Sequence, residues 1–436
     1  MEHILHAFLN LIVTYYAGLF IVQARDKSEI FFPGPHGKET ISQKKLKIIL
    51  LLIVPFISMV RFEGIYIIIF LSFLIMVKRK NFVYGSIFML VGLSPILIYG
   101  LVSLANGWYF FPNSIMSKGE VISIFSIFSD STLFWAFFED KFYFLTLQRH
   151  IFPLIIMTGT LSLVTMTYKR KWWTISNIMI FSFVTNTIFQ ALFAKFSSFY
   201  RYDAYLVCLA LFSLGIIVGE YFPAYATNYF DDLDWIRHKI LNLSALFKKK
   251  PLQSSPRPRN ITIGAVFSLI VVLMLSMGSV MFRGINGVNV TPLATRNIHD
   301  QQYQMGQFLN QYYHQEKVAV NDIGAVNFYA DIQCYDMAGL GTLFPLINLN
   351  NPENYNYRLR LYEDVSNFGC KIAVCYSSWF SGPWTLVCTW KISENIVCGS
   401  DTVSFYAIDL AEAPNLRTNL HEFEMLLPEL VEVRYY

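Results

Sequence analysis

Arg61-Phe62-Glu63-Gly64 puts a cation and a carboxylate into a stretch of chain that is otherwise apolar. A guanidinium fork can hold a phosphate through parallel N–H bonds. A carboxylate beside it can orient the fork or take a proton from an attacking hydroxyl. A charged side chain deep in a membrane costs about 2.5 to 3.5 kcal/mol on insertion scales, so this pair calls for a role. The bland alternative is a snorkelling arginine and a helix-capping glutamate. Residues two apart on a helix do not face each other, so the two charges need not pair. Gly64 suggests an unwound turn after them.

Three other stretches carry a similar mix. Glu2, His3 and His6 open the chain, with Glu2 and His6 four residues apart. Asn106-Gly107-Trp108-Tyr109, Pro112-Asn113-Ser114 and Lys118 form a second group, and Phe199-Tyr200-Arg201-Tyr202-Asp203-Ala204-Tyr205 a third. Arg61, Lys118 and Arg201 are candidate phosphate ligands. Trp108, Tyr202 and Tyr205 are candidates to stack on a sugar, and Asn113 and Asp203 to bond its hydroxyls. The plainer readings are an aromatic belt at a membrane interface for the rings, a simple surface pair for Arg201 and Asp203, and a loop breaker for Pro112-Asn113-Ser114.

The elements that must position these residues are apolar helices. The chain has 436 residues, 54% hydrophobic and 15% charged. Its mean hydropathy is +0.42, which indicates a polytopic membrane protein. A net charge of +4 points to no nucleic-acid partner. Apolar segments at 4–24, 46–60, 65–77, 82–105, 151–168, 174–194, 204–220 and 261–282 predict about eight membrane helices, with a lipid bilayer as their partner. Lysines and arginines bracket the 46–77 stretch, and each of its arms is about 20 Å long as helix against about 30 Å of hydrocarbon. That predicts a shallow hairpin with Arg61 and Glu63 at its tip.

With residue 1 outside, the inner loops hold 19 Lys and Arg against 6 in the outer connections. The positive-inside rule therefore sets both termini outside, and all four polar groups on the outer face. Within this topology residues 121–149 read as an interfacial helix. The loop 221–259, with Lys248-Lys249-Lys250, reads as a solvated inner loop. Polar residues gathered at one face argue against a path through the membrane.

From about 284 the composition becomes that of a soluble α/β domain. Helix-like 298–315 precedes strand candidates Val318–Val320, Ile372–Tyr376, Thr385–Trp390 and Val403–Ile408. The expected division is a membrane domain at 1–283 and a soluble domain at 284–436. No Cys or His spacing suits a metal, so no metal site and no cofactor is predicted. Cys375, Cys388 and Cys398 read as small buried strand residues, with disulfides as the alternative.

Arg61-Phe62-Glu63-Gly64 resembles the R-P-[ED]-G tip of bacterial multi-spanning glycosyltransferases of the GT-C superfamily. The Gly92…Pro95…Tyr99-Gly100 span and the Pro112-Asn113-Ser114…Lys118 stretch after it are similar to that group's G…P…YG…P-N-T-x-x-x-K stretch. Arg201-Tyr202-Asp203-Ala204-Tyr205-Leu206 resembles its R-Y-[ED]-A-Y-L motif. Val318–Gly324 and Asp336-Met337-Ala338-Gly339-Leu340 resemble its extracytoplasmic tail. Phe62 and Ser114 depart from the pattern.

The resemblance implies a transferase of the inner membrane, multi-pass, with an extracytoplasmic C-terminal α/β domain. It implies a polyprenyl-phosphate sugar donor, arabinofuranosyl or another sugar, and an envelope glycan or glycolipid acceptor. Family members carry further N-terminal spans and an acidic loop upstream of the segment that matches Met1-Glu2-His3. The expectation is therefore that the family's usual base is missing from this chain, as the C-terminal part of a longer enzyme or as a degenerate member, with Glu63 or Glu2 as the substitute base. The alternative class is non-enzymatic: a transporter or flippase of lipid-linked glycans, or a structural subunit.

Overall fold

The computed structural model describes residues 2–23, 29–34, 37–113, 115, 135, 139, 141–143, 145, 151–169, 172–194, 202–221, 259–342, 355–380 and 382–436. Lys118, Arg201, most of 121–149 and all but the ends of the 221–259 loop lie outside the described residues. The chain divides into two compact units. One comprises Met1–Ile98 and Asp130–Arg283, and the other Tyr99–Ser129 and Gly284–Tyr436.

Each of the eight apolar segments is helical: α1 Glu2–Val22, α2 Gln43–Val60, α3 Gly64–Lys78, α4 Phe82–Ala105, α5 Ile151–Lys169, α6 Ile175–Phe193, α7 Ala204–Tyr221 and α8 Arg259–Ile298. Among the described residues three of them, α1, α4 and α6, are long and apolar enough to cross a membrane by length and composition. Gly64–Lys78, Ile151–Leu163 and Ala204–Ile217 are shorter apolar helices. Helix α8 runs past the apolar stretch 261–282 as far as Ile298.

An antiparallel ribbon, β1 Glu29–Gly34 and β2 Gly37–Ser42, stands where the sequence suggests only a basic loop. Its β-prone Ile30-Phe31-Phe32 run and the Pro33-Gly34 turn signal account for it. Ser42 then caps α2 by accepting from the Lys45 backbone N–H at 3.2 Å.

The α2–α3 pair forms the expected short hairpin. At its basic end Arg79 is 6% exposed and donates to the Gln23 carbonyl and, at 2.9 Å, to the Gln43 side chain. Those bonds tie the end of α1, the start of α2 and the end of α3 together. At the tip, Gly64 is needed for close approach. A Cβ there would sit 2.6 Å from Ile57 Cγ2 and 2.9 Å from the Ile57 carbonyl carbon and oxygen. The tight turn seen in the sequence is thus also a backbone contact between α3 and α2. The Ser58 hydroxyl donates to the Gly92 carbonyl at 2.5 Å and fixes α4 against α2.

In the second unit, a π-helical turn His299–Tyr303 leads into α9 Gln304–Tyr312. Then follow β3 Lys317–Val320, α10 Gly324–Tyr329, β4 Gln333–Asp336, α11 Tyr355–Asn367, β5 Ile372–Cys375, β6 Thr385–Ile392, β7 Thr402–Ala407, α12 Ala413–Glu424 and β8 Val431–Tyr435. The sheet order is β4-β3-β5-β7-β6-β8. The first three strands are parallel and the rest antiparallel. One face packs on Phe308, Trp390, Phe405 and Phe423, and the other on Leu361, Val365 and Tyr406. Strands β4 and β8 are additions to the four strands expected. All six cysteines are free thiols. Burial pushes Cys370, Cys375, Cys388 and Cys398 up to about 12, so these thiols are inert packing groups.

Candidate functional site

The hairpin tip meets the start of α1 and the approach to α7. Arg61 is the C-cap of α2, in extended conformation, and Glu63 precedes α3. Because neither lies inside a helix, they face each other despite being two residues apart. Arg61 Nη2 donates to Glu63 Oε1 at 2.5 Å and Nε donates to Oε2 at 3.2 Å, a bidentate pair. Nη1 donates to Glu2 Oε1 at 3.4 Å and to His3 Nδ1 at 2.5 Å. The guanidinium lies over the Tyr202 ring at 5.1 Å, and His3 packs edge-on against the same ring at 5.7 Å.

This arrangement sorts the charges by strength of hold. The Arg61 side chain is 9% exposed, Glu63 20% and Glu2 62%. Burial opposes the charge on Glu63, but the Arg61 hydrogen bond and charge outweigh it and hold the carboxyl below its ordinary range. Glu63 is therefore held as a carboxylate by two bonds from Arg61. Glu2 is exposed and its bond is long, so it is the exchangeable carboxylate.

Tyr205 sits deeper, 2% exposed. Its hydroxyl donates to Gln190 on α6 at 3.2 Å, and its ring packs against His6 at 4.7 Å. His6 is 1% exposed and its Nε2 has no hydrogen-bond partner among the described residues. Glu2 and His6 therefore diverge: one joins Arg61 and the other turns onto Tyr205. His6 is a site neighbour that the sequence marks only by its place in the first helix.

Asp203 is placed differently. It is fully buried and accepts from Arg283 Nη2 at 3.0 Å and Nη1 at 3.3 Å. This ties the start of α7 to α8, the geometry of a structural clamp. The sequence pointed to Arg201 as its neighbour because Arg283 is eighty residues away.

Trp108 and Asn113 belong to the second unit. Trp108 is 54% exposed just beyond Gly107, whose φ of +75° ends α4 and suits glycine. The Phe110 ring lies where a side chain on Gly100 would be, 2.3 to 2.5 Å from that Cβ position. Asn113 donates to the Thr342 carbonyl at 3.4 Å. Thr342 in turn accepts from the Asp336 N–H at 3.2 Å. Asp336 gathers the loop after β4 by accepting from Ala338 N–H at 2.9 Å and Gly341 N–H at 2.6 Å.

A second acidic group, Asp322, follows β3. It accepts from Gln302 and from the Tyr376 hydroxyl at 3.0 Å. The Asn321 side chain accepts from the Tyr376 N–H at 3.2 Å. Burial raises the carboxyls of both Asp322 and Asp336 above the ordinary aspartate range. The paired sequence signals Val318–Gly324 and Asp336–Leu340 thus lie at the ends of adjacent parallel strands, where turns are held by side chain to backbone bonds.

Among known families, residues 296–406 match the model described as Domain of unknown function (DUF8728), a stretch from the end of α8 into β7 that leaves out α12 and β8. Comparison with curated proteins and with solved structures yields no match.

Proposed function

We propose that this chain is a membrane glycosyltransferase of GT-C type. It transfers a sugar from a polyprenyl-phosphate donor to an envelope glycan or glycolipid acceptor. In this reading the apolar helices lie in the inner membrane with α1, α4 and α6 spanning it, the hairpin tip faces the extracytoplasmic side, and the C-terminal domain stands on that side. The observation that carries the reading is the convergence of Arg61, Glu63, Glu2, His3 and Tyr202 at one end of the helices.

The chemistry follows from the order of hold. A guanidinium has five N–H donors. Glu63 engages Nε and one N–H of Nη2, while Glu2 and His3 engage Nη1. An arriving phosphate takes the second Nη2 hydrogen and displaces the loosely held Glu2. Glu63 keeps the fork aimed. Arg201 adds the positive charge that a leaving phosphate needs.

In the transfer step the acceptor oxygen bonds to the anomeric carbon. The bond from that carbon to the phosphate oxygen breaks, with its electron pair leaving on the phosphate. The hydroxyl proton passes to a carboxylate, for which the displaced Glu2 is the best placed among the described residues. Tyr202 serves the sugar or acceptor, and Tyr205 supports the site from below. Asp203 acts through Arg283 as a structural clamp.

A flippase is the runner-up, favoured by the polar residues buried on α1 and α6. Transfer assays with polyprenyl-phosphate-linked sugars in nanodiscs separate the two. The transferase reading predicts sugar transfer that Arg61→Ala and Arg201→Ala abolish. Lipid-linked sugar that changes leaflet without being consumed would instead establish the flippase.

A further inference from the structure

Helices α1 and α6 bury a row of polar side chains that the transfer chemistry does not use. On α1 these are His6, Asn10 and Thr14, each at most 1% exposed and spaced by four. On α6 they are Ser182, Asn186 and Gln190, all fully buried and also spaced by four. A spacing of four keeps each set on one side of its helix.

Two contacts set how the rows meet. Near the end of α1, a Cβ on Gly18 would lie 3.7 Å from Ile178 and 3.9 Å from Ile175, at the start of α6. Near the start of α1, His6 packs on Tyr205, which bonds Gln190 near the end of α6. The helices are therefore antiparallel. Steps of four from Gly18 and Ile178 bring Thr14 level with Ser182, Asn10 with Asn186, and His6 with Gln190.

Seven buried side-chain polar atoms lack a partner among the described residues, and four of them are in these two rows: His6 Nε2, Thr14 Oγ1, Ser182 Oγ and Asn186 Oδ1. The amide nitrogens of the two asparagines are used locally. Asn10 donates to the His6 carbonyl at 2.8 Å and Asn186 to the Ser182 carbonyl at 2.6 Å. An apolar interface would pack without such orphans, and a polar one that serves only as glue would pair them across the helices. Acceptors and hydroxyls left open in one line suit a ligand that both donates and accepts.

We propose that the α1–α6 seam is a site for water: a crevice that opens beneath the Arg61–Glu63 tip and runs inward as far as Gly18 and Ile178. Bound waters donate to His6 Nε2 and Asn186 Oδ1 and bridge the hydroxyls of Thr14 and Ser182. The apolar Gly18–Ile178 contact closes the inner end, so the crevice does not cross the protein. It hydrates the site from below and connects His6 with the polar tip.

The test is water-edited solid-state NMR on the whole chain in bilayers, which reads magnetisation transferred from water to each side chain. The expected result is transfer to Thr14, Ser182 and Asn186 that builds up with Glu63, while Ile178 and Leu50 stay dark. In the double variant Thr14→Val with Ser182→Ala, the water signal at Asn186 is lost while its own cross-peaks persist. Build-up at Thr14, Ser182 and Asn186 as slow as at Ile178 would overturn the proposal. The readout needs no sugar transfer, so its outcome is separate from that of the transferase reading.

Discussion

Glu63 grips Arg61 with both carboxylate oxygens, at 2.5 and 3.2 Å, while Glu2 reaches the same guanidinium with one oxygen at 3.4 Å. The inner carboxylate is thus a competitor for any anion that comes to Arg61. Glu63→Gln removes the competing charge but leaves an oxygen that still accepts. Affinity for polyprenyl phosphate should rise by roughly three- to tenfold, about 1 kcal/mol, by equilibrium binding. Sugar transfer should fall, because the fork loses its two-point support. Higher affinity together with unchanged transfer would remove Glu63 from the account as a positioning residue.

Asp203 and Arg283 form a buried ion pair with side chains 0% and 13% exposed. Asp203→Ala strands a cation, and should lower stability by about 3 to 5 kcal/mol. Arg283→Met added to it should restore most of the loss, because no uncompensated charge remains. Thermal unfolding in detergent of the two single variants and the double variant closes the cycle. Additive losses would mean that Asp203 works through something other than Arg283.

Gly64→Ala pushes a methyl group into Ile57, including its backbone carbonyl, and backbone does not move aside cheaply. A cost of about 1 to 3 kcal/mol follows, seen as a lower unfolding temperature. A Gly92→Ala variant should be milder, since its new methyl would meet only the side chains of Ile68 and Val54. Equal effects at both positions would contradict the close approach of α2 and α3.

Burial raises the carboxyls of Asp322 and Asp336, so the folded second unit holds their protons more tightly than the unfolded chain. Their contribution to stability is complete below the ordinary aspartate value, about 3.9, and is lost as pH rises through the raised folded values. Hydrogen-exchange protection of the β3, β4 and β5 amides, corrected for intrinsic rate, should therefore decline across that window. Asp336→Asn should flatten part of the slope. Protection that climbs with pH there, and does so less in Asp336→Asn, would reverse the sign.

The hairpin tip was legible because charge inside an apolar run is an anomaly with few explanations. The chain there offers Arg61 and Glu63 within three residues, and only the break between α2 and α3 decides that they pair. The Asp203 clamp was not legible, since its partner Arg283 lies eighty residues on, within α8. The seam was half visible. His6, Asn10 and Thr14 recur every four residues in the sequence, as do Ser182, Asn186 and Gln190, but only the Gly18–Ile178 contact sets the two rows in register. In the sheet, β3, β5, β6 and β7 announce themselves by runs of buried β-branched and aromatic residues. Strand β4, Gln333–Asp336, pairs at the sheet edge and holds no β-branched residue, which leaves little to read.

The most direct measurement is binding of undecaprenyl phosphate to the whole chain in nanodiscs, wild type against Arg61→Ala and Arg61→Lys. The account predicts a loss of about ten- to a hundredfold for alanine, near 1.4 to 2.7 kcal/mol, as expected for losing a charge-assisted donor. Lysine should recover only part of it, because a point charge cannot be held by Glu63 as a fork is. Affinity unchanged in Arg61→Ala, with the variant folded, would contradict the central claim that Arg61 is the phosphate ligand of the site.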